Sequence, residues 1–255
     1  NPNEGKSHNN LGNAYLRKGW WRDAVREYRM ALKLDPNYVE AYQNLGGAYM
    51  EGQEYPLAIE QFRTVMAKKG SNAELYYSMA NAYYAMEQYQ QAVNYYQDAA
   101  NRKPQMARAY YGMGLCYGAQ GLYEREKRAY EQALEIDPQM SGAVMNLGNN
   151  YFREGNYEQA IEYYERATQL DPEAVTAYLN LAAAYTNTRD YEKAKQYYDK
   201  VLSLKEQAGN AHAGLAIVYY NMQDFEPAAK HLKLARRYGG KIDSQVAQKI
   251  EQAVR

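Results

Sequence analysis

The sequence predicts an all-α solenoid of seven helical hairpins closed by one further helix, and three observations predict it. Residue types recur every 34 positions, without insertion, from residue 5 to residue 242. Each copy carries two apolar stripes at helical spacing. In 141–174, Val144, Leu147, Gly148 and Tyr151 lie at i, i+3, i+4 and i+7, and Tyr157, Ala160, Tyr164 and Ala167 form the second stripe. Turn chemistry separates the stripes: Gly155 suits a left-handed position, Asn156 caps the following helix, and Asp171-Pro172 stops it. Gly148 and Ala160 are small where the stripes meet, so the two backbones can approach closely. A hairpin of this length buries too little apolar surface to fold alone and must stack on its copies.

Taken in order, residues 1–4 align with the closing positions of a repeat that is otherwise absent. The seven repeats are 5–38, 39–72, 73–106, 107–140, 141–174, 175–208 and 209–242. Numbered from 1 to 34, position 7 holds Leu11, Leu45, Met79, Met113, Leu147, Leu181 and Leu215. Position 8 holds only glycine or alanine, and position 11 is tyrosine in every copy, from Tyr15 to Tyr219. Position 20 is alanine except for Glu126; position 32 is Pro36, Pro104, Pro138 and Pro172, with Gly70, Glu206 and Gly240 elsewhere. Most of the thirty tyrosines fall at positions 4, 11, 17 and 24, where rings fill the space between helices. Pro56 and Pro227 sit in first helical turns, where a missing N–H is harmless.

Three places need separate treatment. Trp21 is a core residue, whereas Trp20 is expected to be exposed or to cover the end of the first repeat. Glu126 occupies a tight crossing where an unpaired buried carboxylate is costly, so it either snorkels toward Arg125, Lys127 or Arg128, or the fourth hairpin opens. Residues 243–255 form a helix with Val246, Ile250, Ala253 and Val254 on one stripe and polar residues elsewhere, as the end of a stack in water requires.

Composition narrows the function classes. Thirty basic and thirty acidic residues cancel, so nothing in the net charge attracts nucleic acid or an anionic membrane. The most apolar run, 212–220, is too short to span a membrane. No leader is visible, which favours a cytoplasmic placement, or a periplasmic one after removal of a signal sequence. The single cysteine, Cys116, excludes an internal disulfide and reads as an inert core thiol. His8, His212 and His231 are read as far apart in the array, the first two at position 4 and the third at position 23, with no metal-ligand spacing. No nucleophile elbow or phosphate-binding glycine loop is present, so no active site, cofactor or metal is expected.

The combined pattern over residues 5–242 resembles the tetratricopeptide repeat. The resemblance implies a right-handed superhelix whose first helices line a concave groove, with positions 2, 5, 6, 9, 12 and 13 pointing into it. Asn10, Asn44, Asn146 and Asn180 at position 6, with Asn13, Asn81 and Asn149 at position 9, would then pair with the backbone of an extended ligand or simply solvate the face. Tyr77, Tyr84, Tyr111, Leu115, Met145 and Phe152, flanked by Gly112, Gly118 and Ala119, would take an apolar anchor; extension of the inter-repeat core is the alternative for Tyr77 and Tyr111. Groove charge is mixed, with Lys6, Arg17, Arg108 and Arg153 against Glu40, Glu51 and Glu74. Relatives that clamp chaperone C-termini place cations where this chain has Asn9, Asn81 and Ala85, which argues against that role.

The expected function is a non-catalytic scaffold whose partner is a protein or extended peptide. The alternatives are the substrate-recruiting arm of a larger enzyme such as a glycosyltransferase, or a self-assembling scaffold joined through 243–255 or the first repeat. Nucleic acid and direct membrane insertion are not expected.

Overall fold

The computed structural model describes residues 2–254, and the expectations on Asn1 and Arg255 lie outside them. The described residues form fifteen helices and no strand. In order these are α1 Pro2–Arg17, α2 Trp21–Leu34, α3 Val39–Glu51, α4 Tyr55–Lys69, α5 Ala73–Ala85, α6 Tyr89–Arg102, α7 Ala107–Ala119 and α8 Tyr123–Ile136. They continue as α9 Ser141–Arg153, α10 Tyr157–Leu170, α11 Val175–Asn187, α12 Tyr191–Leu204, α13 Gly209–Asn221, α14 Phe225–Arg237 and α15 Ser244–Ala253. From α3 onward, each first helix begins at repeat position 1 and each second helix at position 17. Residues 2–4, aligned by sequence with a closing turn, are instead helical and lengthen α1. Among the described residues no helix is long and apolar enough to cross a membrane.

The chain divides between Ile136 and Asp137 into two compact units. The first is a stack of four hairpins, α1–α8; the second is a stack of three, α9–α14, followed by α15. Within the second, Ala247 and Ile250 of α15 are buried with Ala216, Ala228 and Leu232 of the last hairpin.

Each hairpin reverses through a left-handed residue at position 15. Glycine supplies it at Gly19, Gly121 and Gly155 (φ +79° at Gly155), but Gln53, Glu87, Arg189 and Gln223 adopt φ of 59° to 65°. The turn geometry therefore persists where the glycine signal is missing, because the packed helices on either side dictate it. Asn156 accepts from the Gln159 amide, the cap its position predicts, and Asn72 and Asp190 cap their helices in the same way.

In the first six hairpins position 24 carries an aromatic ring that needs a slot between helices. Tyr28, Phe62, Tyr130 and Tyr164 lie over Gly12, Gly46, Gly114 and Gly148, the position 8 glycines of their own first helices. A Cβ at Gly46 would sit 2.5 Å from the Phe62 ring. Repeats 3 and 6 carry Ala80 and Ala182 at position 8, and there the ring takes another slot. Tyr96 and Tyr198 lie instead over Gly112 and Gly214, at position 6 of the following repeat. Glycine at position 8 is thus followed by Asn44, Ser78, Asn146 or Asn180 at position 6, and alanine by glycine.

The invariant position 11 tyrosines have two jobs. Where position 23 is aromatic their rings stack on it, as Tyr83 does on Tyr95 (5.0 Å), Tyr151 on Tyr163 (5.4 Å) and Tyr185 on Tyr197 (5.6 Å). Their hydroxyls meet position 25 of the preceding repeat: Arg29 donates to Tyr49, Arg63 to Tyr83, and Tyr185 donates to Glu165. One residue type ties a hairpin together and joins it to its neighbour.

Trp21 is partly buried against the first core, and Trp20 is 51% exposed, stacked on Tyr15 at 5.9 Å. The fourth hairpin stays closed around Glu126. Its carboxylate occupies the room left by Gly118, where a Cβ would lie 2.6 Å from Oε1, so the side chain is buried rather than snorkelling.

Gly112→Ala drives a methyl into the Tyr96 ring and is expected to cost about 1–3 kcal/mol. Gly47→Ala meets open space in mid-helix, and is expected to stabilise by about 0.5–1 kcal/mol. Urea midpoints moving in opposite directions check the pair.

Candidate functional site

The first-helix surface is built from the same packing. Asn13, Asn81 and Asn149 occur where position 24 is tyrosine, and each accepts from that hydroxyl: Tyr28 to Asn13 at 2.7 Å, Tyr96 to Asn81 at 2.6 Å, Tyr164 to Asn149 at 2.9 Å. Burial pushes the Tyr28 hydroxyl up to about 12 and raises Tyr96 and Tyr164 as well, so all three remain protonated donors. Repeat 2 lacks both partners, with Gly47 opposite Phe62. The carbonyl halves of these amides are therefore taken up by the tyrosine hydroxyls.

In the first unit, Asn44 donates to Asn9 at 2.9 Å, so Asn44 joins an internal chain while Asn10 is exposed. Arg108 lies over the Tyr77 ring, 4.4 Å from its centroid, and is ion-paired with Glu74. Tyr77 also contacts the Tyr96 ring at 5.6 Å, Tyr84 meets Tyr89 at 5.7 Å, and Tyr111 meets Tyr130 at 5.7 Å. The space that glycines suggest beneath these tyrosines is occupied: Tyr96 fills the slot at Gly112 and Glu126 the slot at Gly118. Tyr77, Tyr84 and Tyr111 remain half-buried.

The second unit holds a pocket of about 170 Å³ lined by Asn149, Phe152, Tyr164, Asn180 and Ala183. Asn149 Oδ1 accepts from both Tyr164 and Asn180, the latter at 2.9 Å. Phe152 is held edge-on by Tyr157 at 5.2 Å, and Met145 packs partly buried against the core beneath. Asn146 is half-buried on the same helix. The structure thus brings Asn149, Phe152 and Asn180 together and adds Tyr164 and Ala183. The sequence does not mark that addition, because Tyr130 and Tyr198 stand at position 24 in repeats whose position 9 is Leu115 and Ala183.

Other chemistry is sparse among the described residues. Cys116 is fully buried and its thiol is pushed up to about 12 by burial, which keeps it protonated. No group of three metal-ligating side chains forms among the described residues. The expectation that the histidines lie far apart is corrected for two of them: His212 and His231 meet with Nδ1 atoms 3.0 Å apart. Positions 4 and 23 face each other across one hairpin, a relation that linear distance conceals.

These features define a protein of stacked helical hairpins whose first-helix face carries amides and a small apolar pocket. Family profiles described as TPR repeat match residues 12–51 and 148–188, and profiles described as tetratricopeptide repeat match 77–141 and 175–207. The crystal structure of MamA is 30% identical, covering 65% of this chain and 97% of that one with a TM-score of 0.58. The chain belongs to the tetratricopeptide repeat family. A repeat protein from Cytophaga hutchinsonii shares the fold at 17% identity, covering 96% of this chain and 99% of that one (TM-score 0.77). YrrB, described as a TPR protein with an unusual peptide-binding site, is 21% identical over 76% of this chain and 99% of its own (TM-score 0.68). No curated protein sequence matches the chain.

Tyr164→Phe should cost about 1 kcal/mol by leaving Asn149 short of one donor. A double-mutant cycle with Asn149→Gly, which copies the Gly47/Phe62 pairing, is expected to show coupling of about 0.5–1.5 kcal/mol in denaturant unfolding.

Proposed function

We propose that the protein is a non-catalytic scaffold that holds an extended peptide or protein segment along the first-helix surface. The pocket of the second unit carries this reading. Phe152 and Ala183 give it apolar walls, while Asn149 Nδ2 can donate to a ligand carbonyl and Asn180 Oδ1 can accept from a ligand N–H. A peptide presents those two partners along its backbone and an apolar side chain beside them. The pocket volume of about 170 Å³ is of the order of one large side chain rather than a cofactor.

Asn10, Asn13, Asn44, Asn81 and Asn146 extend the row of amides along the other repeats in this reading. Tyr77, Tyr84, Tyr111 and Met145 supply further apolar surface, and Arg108, exchanging Glu74 for a ligand carboxylate, supplies charge. Likeness to YrrB agrees with peptide binding, since its description names a peptide-binding site. Membership of a family of interaction scaffolds agrees with the lack of a catalytic role.

The test uses peptides selected from a random 12-residue library against the whole chain, followed by titration calorimetry. Phe152→Ala is expected to weaken binding by about 1–4 kcal/mol at a true anchor site, with helicity unchanged. Selected peptides that bind the variant as tightly as the parent would contradict the assignment.

A further inference from the structure

Positions 4 and 23 oppose each other across the hairpins of repeats 1, 3, 6 and 7. In repeats 3 and 6 the pair is aromatic, Tyr76 with Tyr95 (6.1 Å) and Tyr178 with Tyr197 (6.2 Å). In the first repeat it is His8 Nδ1 against the Glu27 carboxylate at 2.7 Å. In the last repeat it is His212 and His231, ring centroids 5.2 Å apart, with the two Nδ1 atoms at 3.0 Å. Tyr238 stacks on His212 at 5.7 Å, and Tyr219, the position 11 ring of this repeat, stacks on His231 at 5.5 Å. The last hairpin therefore keeps the aromatic stack of repeats 3 and 6 but builds half of it from titratable rings.

We propose that the α13–α14 hairpin is an acid-responsive latch, held closed by the His212–His231 Nδ1 contact while both rings are neutral and released when they take up protons. In the neutral pair one Nδ1–H donates to the lone pair of the other. Full protonation puts an N–H on both facing atoms, so the contact becomes donor against donor and the rings must part.

Among the described residues no carboxylate is hydrogen-bonded to either histidine as Glu27 is to His8. On α14 the charged neighbour is Lys230, which disfavours a cation on His231. From α12, Lys195 reaches the Tyr219 ring and is paired with Glu192, with Asp199 beside it. The turn before α13 presents the Glu206 backbone carbonyl to His212. On α15, Glu251 is tied to Arg236. Burial lowers both histidines, His231 to about 4 from an ordinary 6.5. A base held below its unfolded value contributes stability that is complete above about pH 6.5 and is lost as the pH falls toward 4. In a stack that contacts only its neighbours, such a loss opens one terminal hairpin without unfolding the rest. Opening would uncover Ala216 and Leu232 of the hairpin and Ile250 of α15, which are now buried against one another.

Hydrogen exchange of the whole chain, read by mass spectrometry at pH 7.5 and pH 5.0 and corrected for intrinsic exchange, tests the latch. The opening equilibrium of residues 209–253 is expected to rise about tenfold or more at pH 5.0, while residues 5–38 do not loosen. His212→Tyr/His231→Tyr, which copies repeats 3 and 6, should reduce the rise to less than about twofold. His231→Gln, which places at position 23 the residue found at Gln61, should at least halve it should the double variant fold poorly. An unchanged wild-type exchange, the same rise in the variants, or a uniform rise along the chain would overturn the proposal.

Discussion

The structure depends on one steric condition: in the first six hairpins an aromatic ring must find a slot with no Cβ in which to lie. The ring at position 24 is too large to fit between two helices that both carry side chains at the crossing. Six repeats solve this with one glycine each, either on the hairpin's own first helix or on the next. Tyr28, Phe62, Tyr130 and Tyr164 use the first solution; Tyr96 and Tyr198 use the second. Protein interiors are close-packed, so a methyl group in the wrong slot has to displace the ring or the helix. The seventh repeat ends the series with Leu232, which has no ring to place.

Surface chemistry follows from that condition. Where the ring stays over its own helix, position 6 of the next repeat is free to carry a polar side chain, as Asn44 and Asn180 do. Where the ring leans forward, the same position is glycine and the row of amides is interrupted. In either arrangement the tyrosine hydroxyl can fix the position 9 asparagine by donating to its carbonyl, as Tyr28, Tyr96 and Tyr164 do to Asn13, Asn81 and Asn149. Core and first-helix surface are one construction, and the pocket beside Phe152 is lined by Tyr164, a ring over its own helix, and by Asn180 at position 6 of the next repeat.

Much of this was legible in the residues. The 34-residue spacing placed the helix starts from α3 onward, and Gly155-Asn156 marked a turn and a cap that the structure contains. Residues 2–4 were not legible, because a closing-turn alignment does not exclude helix where the following helix can extend backward. In the sequence Glu126 reads as a strain, whereas Gly118, eight residues earlier at the hairpin's other wall, supplies its room. The same blindness hid the His212–His231 contact: periodicity gives the position of each residue within a repeat but not which positions face across the hairpin. Asn13, Asn81 and Asn149 were legible as polar surface; their internal tyrosine partners require the packing.

The slot condition predicts that alanine at position 8 and glycine at position 6 of the next repeat are exchangeable only together. The most direct measurement is the urea stability of Gly112→Asn, Ala80→Gly and their combination. Tyr96 should have nowhere to lie in the first variant and should return to its own helix in the combination, giving favourable coupling of about 1–3 kcal/mol. Strictly additive effects, with Ala80→Gly failing to rescue Gly112→Asn, would contradict the account.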